Sequence, residues 1–290
     1  MTQTFTRHAV ACGLRRGRIE FVNSMRSGQD IGYYVVTSLV LLIVLWLNRD
    51  NTLQSADGTT VSTAAYALPG LLALQVVFAG AFGIATVLST EREDGTLLRL
   101  RAAPGGMIGY AVGQLTRVSL EIAFSIAILL VPALILIPGL TTDLGVGGLL
   151  ALLGYLVLGF LATVPLGFIV GSVFNNPRSV GGWGMLVMAA VVWVSGIFVP
   201  SSSLPGWASI LGQLFPPYWM GLGLRSAALP DSAAAVEIGD SWRTLMTLGV
   251  LGIWAAIGLT LAPVLLRRMA RRESGSAVAQ RREKQLQRVG

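Results

Sequence analysis

Among the 290 residues there is one cysteine, Cys12, one histidine, His8, and one lysine, Lys284. Each scarcity closes off a kind of chemistry. A lone cysteine leaves no intrachain disulfide. Zinc sites built on imidazole or thiolate clusters have no ligands here. A histidine-dependent serine or cysteine triad has no base in a plausible place. The single lysine sits in the carboxyl-terminal tail, which excludes a Gly-x-x-x-x-Gly-Lys-Ser/Thr phosphate loop. The chain is therefore expected to bind no cofactor or metal directly and to hydrolyse no nucleotide itself. Charge is scarce as well. Only 12% of residues are charged and 53% are hydrophobic, the balance of a membrane protein.

Six apolar runs reach or approach the roughly 20 residues that cross a bilayer. They are Ile31–Leu47, Ala67–Leu88, Val118–Ile137, Gly148–Gly171, Val180–Val199 and Leu245–Leu266. The expected fold is an all-α polytopic membrane protein with six transmembrane helices. An amino-terminus-inside arrangement gathers Arg7, Arg15, Arg16, Arg18, Arg26, Arg92, Arg99, Arg101, Arg117 and Arg178 in the cytosol. The tail cluster Arg267, Arg268, Arg271, Arg272, Arg281, Arg282, Lys284 and Arg288 joins them, and only Arg49, Arg225 and Arg243 stay outside. The positive-inside rule then puts both termini in the cytosol. The net charge of +7 reads as topology determinant and headgroup attraction, with no nucleic acid required. A cleaved signal peptide is not expected, because no small-x-small site follows the first run. The tail, residues 267–290, reads as a basic solvated segment.

The densest polar sequence between spans is Ser89-Thr90-Glu91-Arg92-Glu93-Asp94-Gly95-Thr96-Leu97-Leu98-Arg99-Leu100-Arg101. Thr90 and Glu93 form a capping-box pattern that predicts a helix over residues 90–101. Acids then occupy its first turn and arginines its last, as the helix dipole favours. Ala102-Ala103-Pro104-Gly105-Gly106 ends it. Taken alone, the segment fits a surface helix that turns the chain and a lever that pushes on a soluble protein about equally well.

The run Glu91 to Leu97, followed by Leu100 and Pro104, resembles the cytosolic coupling helix of ABC-2 type transport permeases. Ser195-Gly196-Ile197-Phe198-Val199-Pro200, Leu204-Pro205-Gly206-Trp207, Phe215-Pro216-Pro217 and Arg225 resemble that family's segment after the fifth span. The likeness covers nearly the whole chain and is closest to short bacterial drug-efflux permeases. Aromatic rows along the spans, as in polysaccharide exporters, are lacking. The resemblance implies a half-transporter of an ATP-driven exporter. Two ABC ATPase subunits would carry the ATP and Mg, and a second permease, identical or homologous, would complete the pathway. It implies ATPase coupling by Glu91, Arg92, Glu93, Asp94, Gly95, Thr96, Leu97 and Leu100, with the acids facing the ATPase and Gly95 allowing close approach. Asn175, Asn176 and Arg178, between spans four and five, would be a second coupling loop, or a plain Asn/Pro turn.

Residues 1–30 read as an amphipathic interface helix lying flat on the inner membrane surface, with Val10, Leu14, Phe21 and Met25 as its apolar stripe. Gln114, Arg117 and Glu121 share one face of the third span. They make either an internal ion pair or an inner gate. Residues 200–230 predict an external pair of re-entrant or interfacial helices in which Trp207, Tyr218, Trp219 and Arg225 form either an outer gate or headgroup anchors. Glycines such as Gly80, Gly159, Gly167 and Gly181 allow close helix packing. The preference for arginine over lysine points to a GC-rich bacterial source and its plasma membrane. The expected cargo is hydrophobic or amphipathic, a drug or a lipid. The competing reading is a proton-coupled secondary transporter that uses Glu121. An integral-membrane enzyme fits least, for want of an acid, His or Cys cluster.

Overall fold

A computed structural model describes residues 2–54, 58, 60–137, 140–174, 177–198, 200 and 204–272. The chain is built almost wholly from helices, and six of them are long and apolar enough to cross a membrane. The first span is α2 (Gly28–Leu47). The second is α3 (Thr63–Val77), a π-helical segment (Phe78–Gly83) and α4 (Ile84–Glu93) in one continuous rod. After the short α5 (Thr96–Ala102) the third span is α6 (Gly106–Leu136). The fourth is α7 (Leu140–Val173), broken near its start where Gly145 takes φ 51°. The short α8 (Pro177–Ser179), a π-helical turn (Val180–Gly184) and α9 (Met185–Val194) make the fifth. The sixth is the apolar part of α12 (Thr244–Arg272). The only sheet among the described residues is an antiparallel pair, β1 (Thr52–Gln54) with β2 (Thr60–Ser62), between spans one and two.

The predicted spans all exist, but two run well past their expected ends. Span two continues to Glu93, and span three begins at Gly106, twelve residues before Val118. Its 31 residues make a rod of about 46 Å at 1.5 Å per residue, well over the ~30 Å apolar thickness of a bilayer. The surplus lies at the α6 amino end, where α1 (Thr2–Ser24) packs along it.

That contact shows what α1 packs against. The tightest face of α1 is the small-residue row Ala9, Gly13 and Gly17, set against Gly109 and Gly113 of α6. A Cβ on Gly13 would lie 2.5 Å from the Gly109 carbonyl oxygen, and one on Gly17 would lie 2.5 Å from that of Gly113. Steps of four on both helices align the glycines, so the two backbones touch. Of the expected apolar stripe, Val10, Phe21 and Met25 are half-buried and Leu14 is exposed. α1 thus packs on the bundle through its small residues, with most of the apolar stripe half-buried beside them.

The same device joins spans two and four. A Cβ on Gly167 would be 2.7 Å from the Ala81 carbonyl oxygen, and one on Gly171 would be 3.1 Å from Cα of Ala85. Around these contacts Leu72, Val76, Val77, Leu88, Leu129 and Leu152 form the buried centre.

The region after span five divides into two unlike helices. α10 (Gly206–Gly212) is superficial, with Trp207 and Ile210 exposed. α11 (Pro216–Ala228) is buried almost throughout, packed on α7, α3 and α12. Gly148, Gly159 and Gly223 make room for it: a Cβ on each would come within 2.5 Å of Ala227 O, Met220 Sδ and Tyr155 Cδ1 respectively. Of the expected pair of re-entrant or interfacial helices, α10 lies on the surface of the bundle and α11 lies inside it.

Candidate functional site

The charged run between spans two and three is bent, and the bend is at Gly95. Residues 90–93 belong to α4, the end of span two; Thr90 starts no helix, and its hydroxyl donates back to the Thr86 carbonyl. α4 closes with Asp94 N–H donating to Thr90 O and Gly95 N–H to Arg92 O. Gly95 adopts φ 73°, a left-handed conformation that glycine takes at no steric cost. α5 then leaves in a new direction. The predicted single helix over 90–101 is corrected to two helices with a glycine corner. Glu91 and Glu93 consequently sit in a last helical turn, where the dipole opposes them. The capping-box pattern misled because apolar span and polar end are one uninterrupted helix.

The corner sorts the candidate coupling residues by exposure. Arg92, Gly95 and Leu97 are buried; Glu91, Glu93, Thr96 and Leu100 are half-buried; Asp94 and Arg99 are exposed. Glu91 is held from inside. Its Oε1 accepts from Arg16 Nη2 of α1 at 3.0 Å, and Arg16 Nε donates to Glu20 at 2.6 Å. The Arg16 guanidinium also lies over the Tyr110 ring, 5.4 Å from its centre. Burial works against the Arg16 charge, but Glu20 and Glu91 outweigh it and hold its pKa above the usual value. Span two, span three and α1 are thus pinned together just behind the corner. α8 packs against α4, which brings the exposed Arg178 to the same end of the bundle. Asn175 and Asn176 lie outside the described residues.

The second candidate group forms as the spacing indicated. Arg117 Nε donates to Glu121 Oε1 at 2.7 Å. Beside this pair, spans one, two and three enclose a cavity of about 360 Å³. Tyr33, Tyr34, Leu41, Leu74, Phe78 and Phe82 give it apolar walls, and Gln75, Gln114, Arg117, Glu121 and Ser125 give it a polar flank. Ser125 donates to Gln75 Oε1 at 2.8 Å.

The third group sits at the opposite end, and here burial is complete. Arg225 Nε donates to Glu237 Oε1 at 2.6 Å, with neither side chain exposed. Tyr66 OH donates to the same carboxylate oxygen at 2.8 Å, and its ring lies 4.8 Å from the Arg225 guanidinium carbon. Arg243 donates to Gln213 Oε1 at 3.0 Å and contacts the Tyr218 hydroxyl. Trp219 is buried and donates through Nε1 to Gln213 O at 2.7 Å. Of the expected outer-gate residues only Trp207 faces outward; Tyr218, Trp219 and Arg225 are internal braces. Sequence reading missed Glu237 and Tyr66. The one available signal was an acid alone in an otherwise apolar stretch, Ala233-Ala234-Ala235-Val236-Glu237-Ile238.

Among the described residues no group of three or more His, Cys, Asp or Glu is placed to hold a metal ion. Among curated proteins, none matches the chain. The family model for an ABC-2 family transporter protein matches residues 47–263, well over half the chain.

Proposed function

The chain belongs to the ABC-2 transporter family, and from that premise we propose that it is the membrane-spanning permease subunit of an ATP-driven exporter. In this reading two separately encoded ABC ATPase subunits supply the energy, and a second permease, identical or homologous, shares the pathway. The arginine asymmetry supports a cytosolic position for the end that carries α1, α5 and α8 and for both chain termini, in a bacterial plasma membrane. The cargo is a hydrophobic or amphipathic molecule, a drug or a lipid.

The observation that carries this reading is the glycine corner at the end of span two. An exposed, oppositely charged pair of positions, Asp94 and Arg99, stands at the tip of a rod that runs unbroken into the membrane. A push on that tip is delivered to span two directly, and through Arg16–Glu91 to α1. A surface turn without a partner has no use for so stiff a connection.

Co-purification tests it. The tagged chain, extracted in mild detergent, is expected to bring down an ABC ATPase subunit whose activity is measured on the complex. Asp94→Arg combined with Arg99→Glu is expected to lose that subunit while the permease remains folded. Recovery of the chain alone, with transport that survives ATP depletion and needs a proton gradient, would replace this reading with the secondary transporter.

A further inference from the structure

We propose that the cavity between spans one, two and three is a binding site for an uncharged aromatic amphiphile whose head group both donates and accepts a hydrogen bond. The site is reached from the leaflet on the α1 side. Calling its occupant a cargo rests on the exporter reading above; the binding site does not.

Two buried amides carry the assignment. Gln75, on span two, is 8% exposed, and Gln114, on span three, is 3% exposed; both line the cavity. Gln75 Nε2 and Gln114 Oε1 have no hydrogen-bond partner in the protein. A buried, unpaired amide group costs roughly 1–3 kcal/mol, so two of them on one cavity favour a bound group that satisfies both. Gln75 Nε2 calls for an acceptor and Gln114 Oε1 for a donor. A hydroxyl or a secondary amide offers both. A fixed anion or cation offers one, and also meets the Arg117–Glu121 pair, which is already neutralised internally.

The apolar walls choose the rest of the molecule. Tyr33, Tyr34, Phe78 and Phe82 supply aromatic faces, which favour a flat or aryl body through stacked and edge contacts. The volume falls within the range of sites for small organic ligands, about 300–1,000 Å³. It is too small for a two-chain lipid.

Backbone geometry singles out the same place. Phe78, Ala79, Phe82 and Gly83 all line the cavity, and all belong to the π-helical segment of span two. Such wide turns loosen the helical ladder and recur at functional positions. On the facing side, α2 is buried only at Ser38, Leu42 and Leu45. Its opposite half, from Tyr33 to Thr37, is exposed or half-buried, with Tyr34 edge-on to Phe124 of α6 at 6.1 Å, and Tyr33, Tyr34 and Thr37 line the cavity. Glu121 lies about 22 Å along α6 from its start, at 1.5 Å per residue, so the polar flank falls between the membrane middle and the α1 end. The way in is therefore beside the less buried half of α2.

The test uses three pyrene probes that differ only in the head group, with the full chain in nanodiscs. 1-Pyrenemethanol is expected to bind saturably over protein-free nanodiscs. 1-Pyrenesulfonate and 1-pyrenemethylammonium are expected to bind at least tenfold more weakly. Gln114→Leu should weaken 1-pyrenemethanol binding about tenfold. Gly83→Leu should abolish it by filling the cavity, because a Cβ there meets nothing nearer than the Phe78 carbonyl at 3.7 Å. Thermal unfolding of each variant confirms that loss of binding is not loss of fold. Equal binding of all three probes, or unchanged binding by Gly83→Leu, would overturn the proposal. ATPase co-purification is scored separately: a failed probe series with a recovered ATPase rejects this site and leaves the exporter reading standing. Probe binding without an ATPase does the reverse.

Discussion

At the α1 end of the bundle the ion pairs of Arg16 and Arg117 keep some contact with solvent. The side chains of Arg16 and Glu20 are 30% and 25% exposed, Glu91 is 16%, and Arg117 and Glu121 are 28% and 11%. At the opposite end Arg225 and Glu237 are both 0% exposed, with Tyr66 closing the group. Pairs of the first kind cost little to make and to break. A pair of the second kind costs several kcal/mol per stranded ion to break, so it stays made. The molecule therefore holds one end by adjustable contacts and the other by a fixed brace. In the exporter reading proposed above, a lever would use that asymmetry: the driven end yields and the far end keeps the helices in register.

The comparison breaks first at Glu237. Glu237→Ala would leave Arg225 buried and unpaired, and a loss of about 3–5 kcal/mol of stability is expected. Thermal unfolding of the purified protein in detergent reads it. Arg225→Met with Glu237→Leu should recover most of the loss, because apolar side chains of similar size replace the pair without a stranded charge. If Glu237→Ala unfolds like the parent, the brace is not what holds α11 in the core. Next in size is Gly17→Val at the α1 end. The added atoms press on the Gly113 carbonyl, and overpacking of this kind costs roughly 1–3 kcal/mol. Here α1 should detach before the bundle melts. Limited proteolysis is expected to release α1 from folded protein, and release only upon global unfolding would contradict the adjustable reading of this end.

Much of this was legible in the sequence, and what was not has physical causes. Span number came from apolar length alone, because backbone satisfaction in a bilayer leaves few alternatives to a helix. The Arg117–Glu121 pair came from a four-residue step and needed no tertiary knowledge. The Arg225–Glu237 pair did not, since twelve residues and a 3₁₀ turn (Asp231–Val236) separate its members. Asp94-Gly95 was read as helix interior, although glycine there ends one helix and starts another. A left-handed residue competes with a capping pattern three residues earlier, and local spacing cannot arbitrate. The Gly13-x-x-x-Gly17 and Gly109-x-x-x-Gly113 steps were present but unread, because attention to large apolar residues hides the small ones that let backbones meet. The interior position of Trp219 was missed for a related reason: a tryptophan near a span end fits a headgroup belt and a core site equally well until its N–H partner, Gln213 O, is known.

Smaller effects sharpen the comparison within the α1 end itself. Glu121→Gln removes the charge from a largely buried pair and should cost about 1–2 kcal/mol, close to the contribution of a hydrogen bond to a charged group. Transport is expected to fall while ATPase association is unchanged; normal export by this variant would take Glu121 out of the mechanism. The finest division is between Glu91 and Asp94, three residues apart on one elbow. Glu91 is committed to Arg16, so Glu91→Gln should lower stability modestly and leave the ATPase bound. Asp94 is exposed, so Asp94→Arg should leave the unfolding temperature nearly unchanged, within about 0.5 kcal/mol, and weaken ATPase recovery. Paired measurements of melting and co-purification on these two variants separate an acid that holds the lever together from one that meets the partner. The reverse pattern would mean that the partner grips the α1–α4 seam, and that the glycine corner is only a turn.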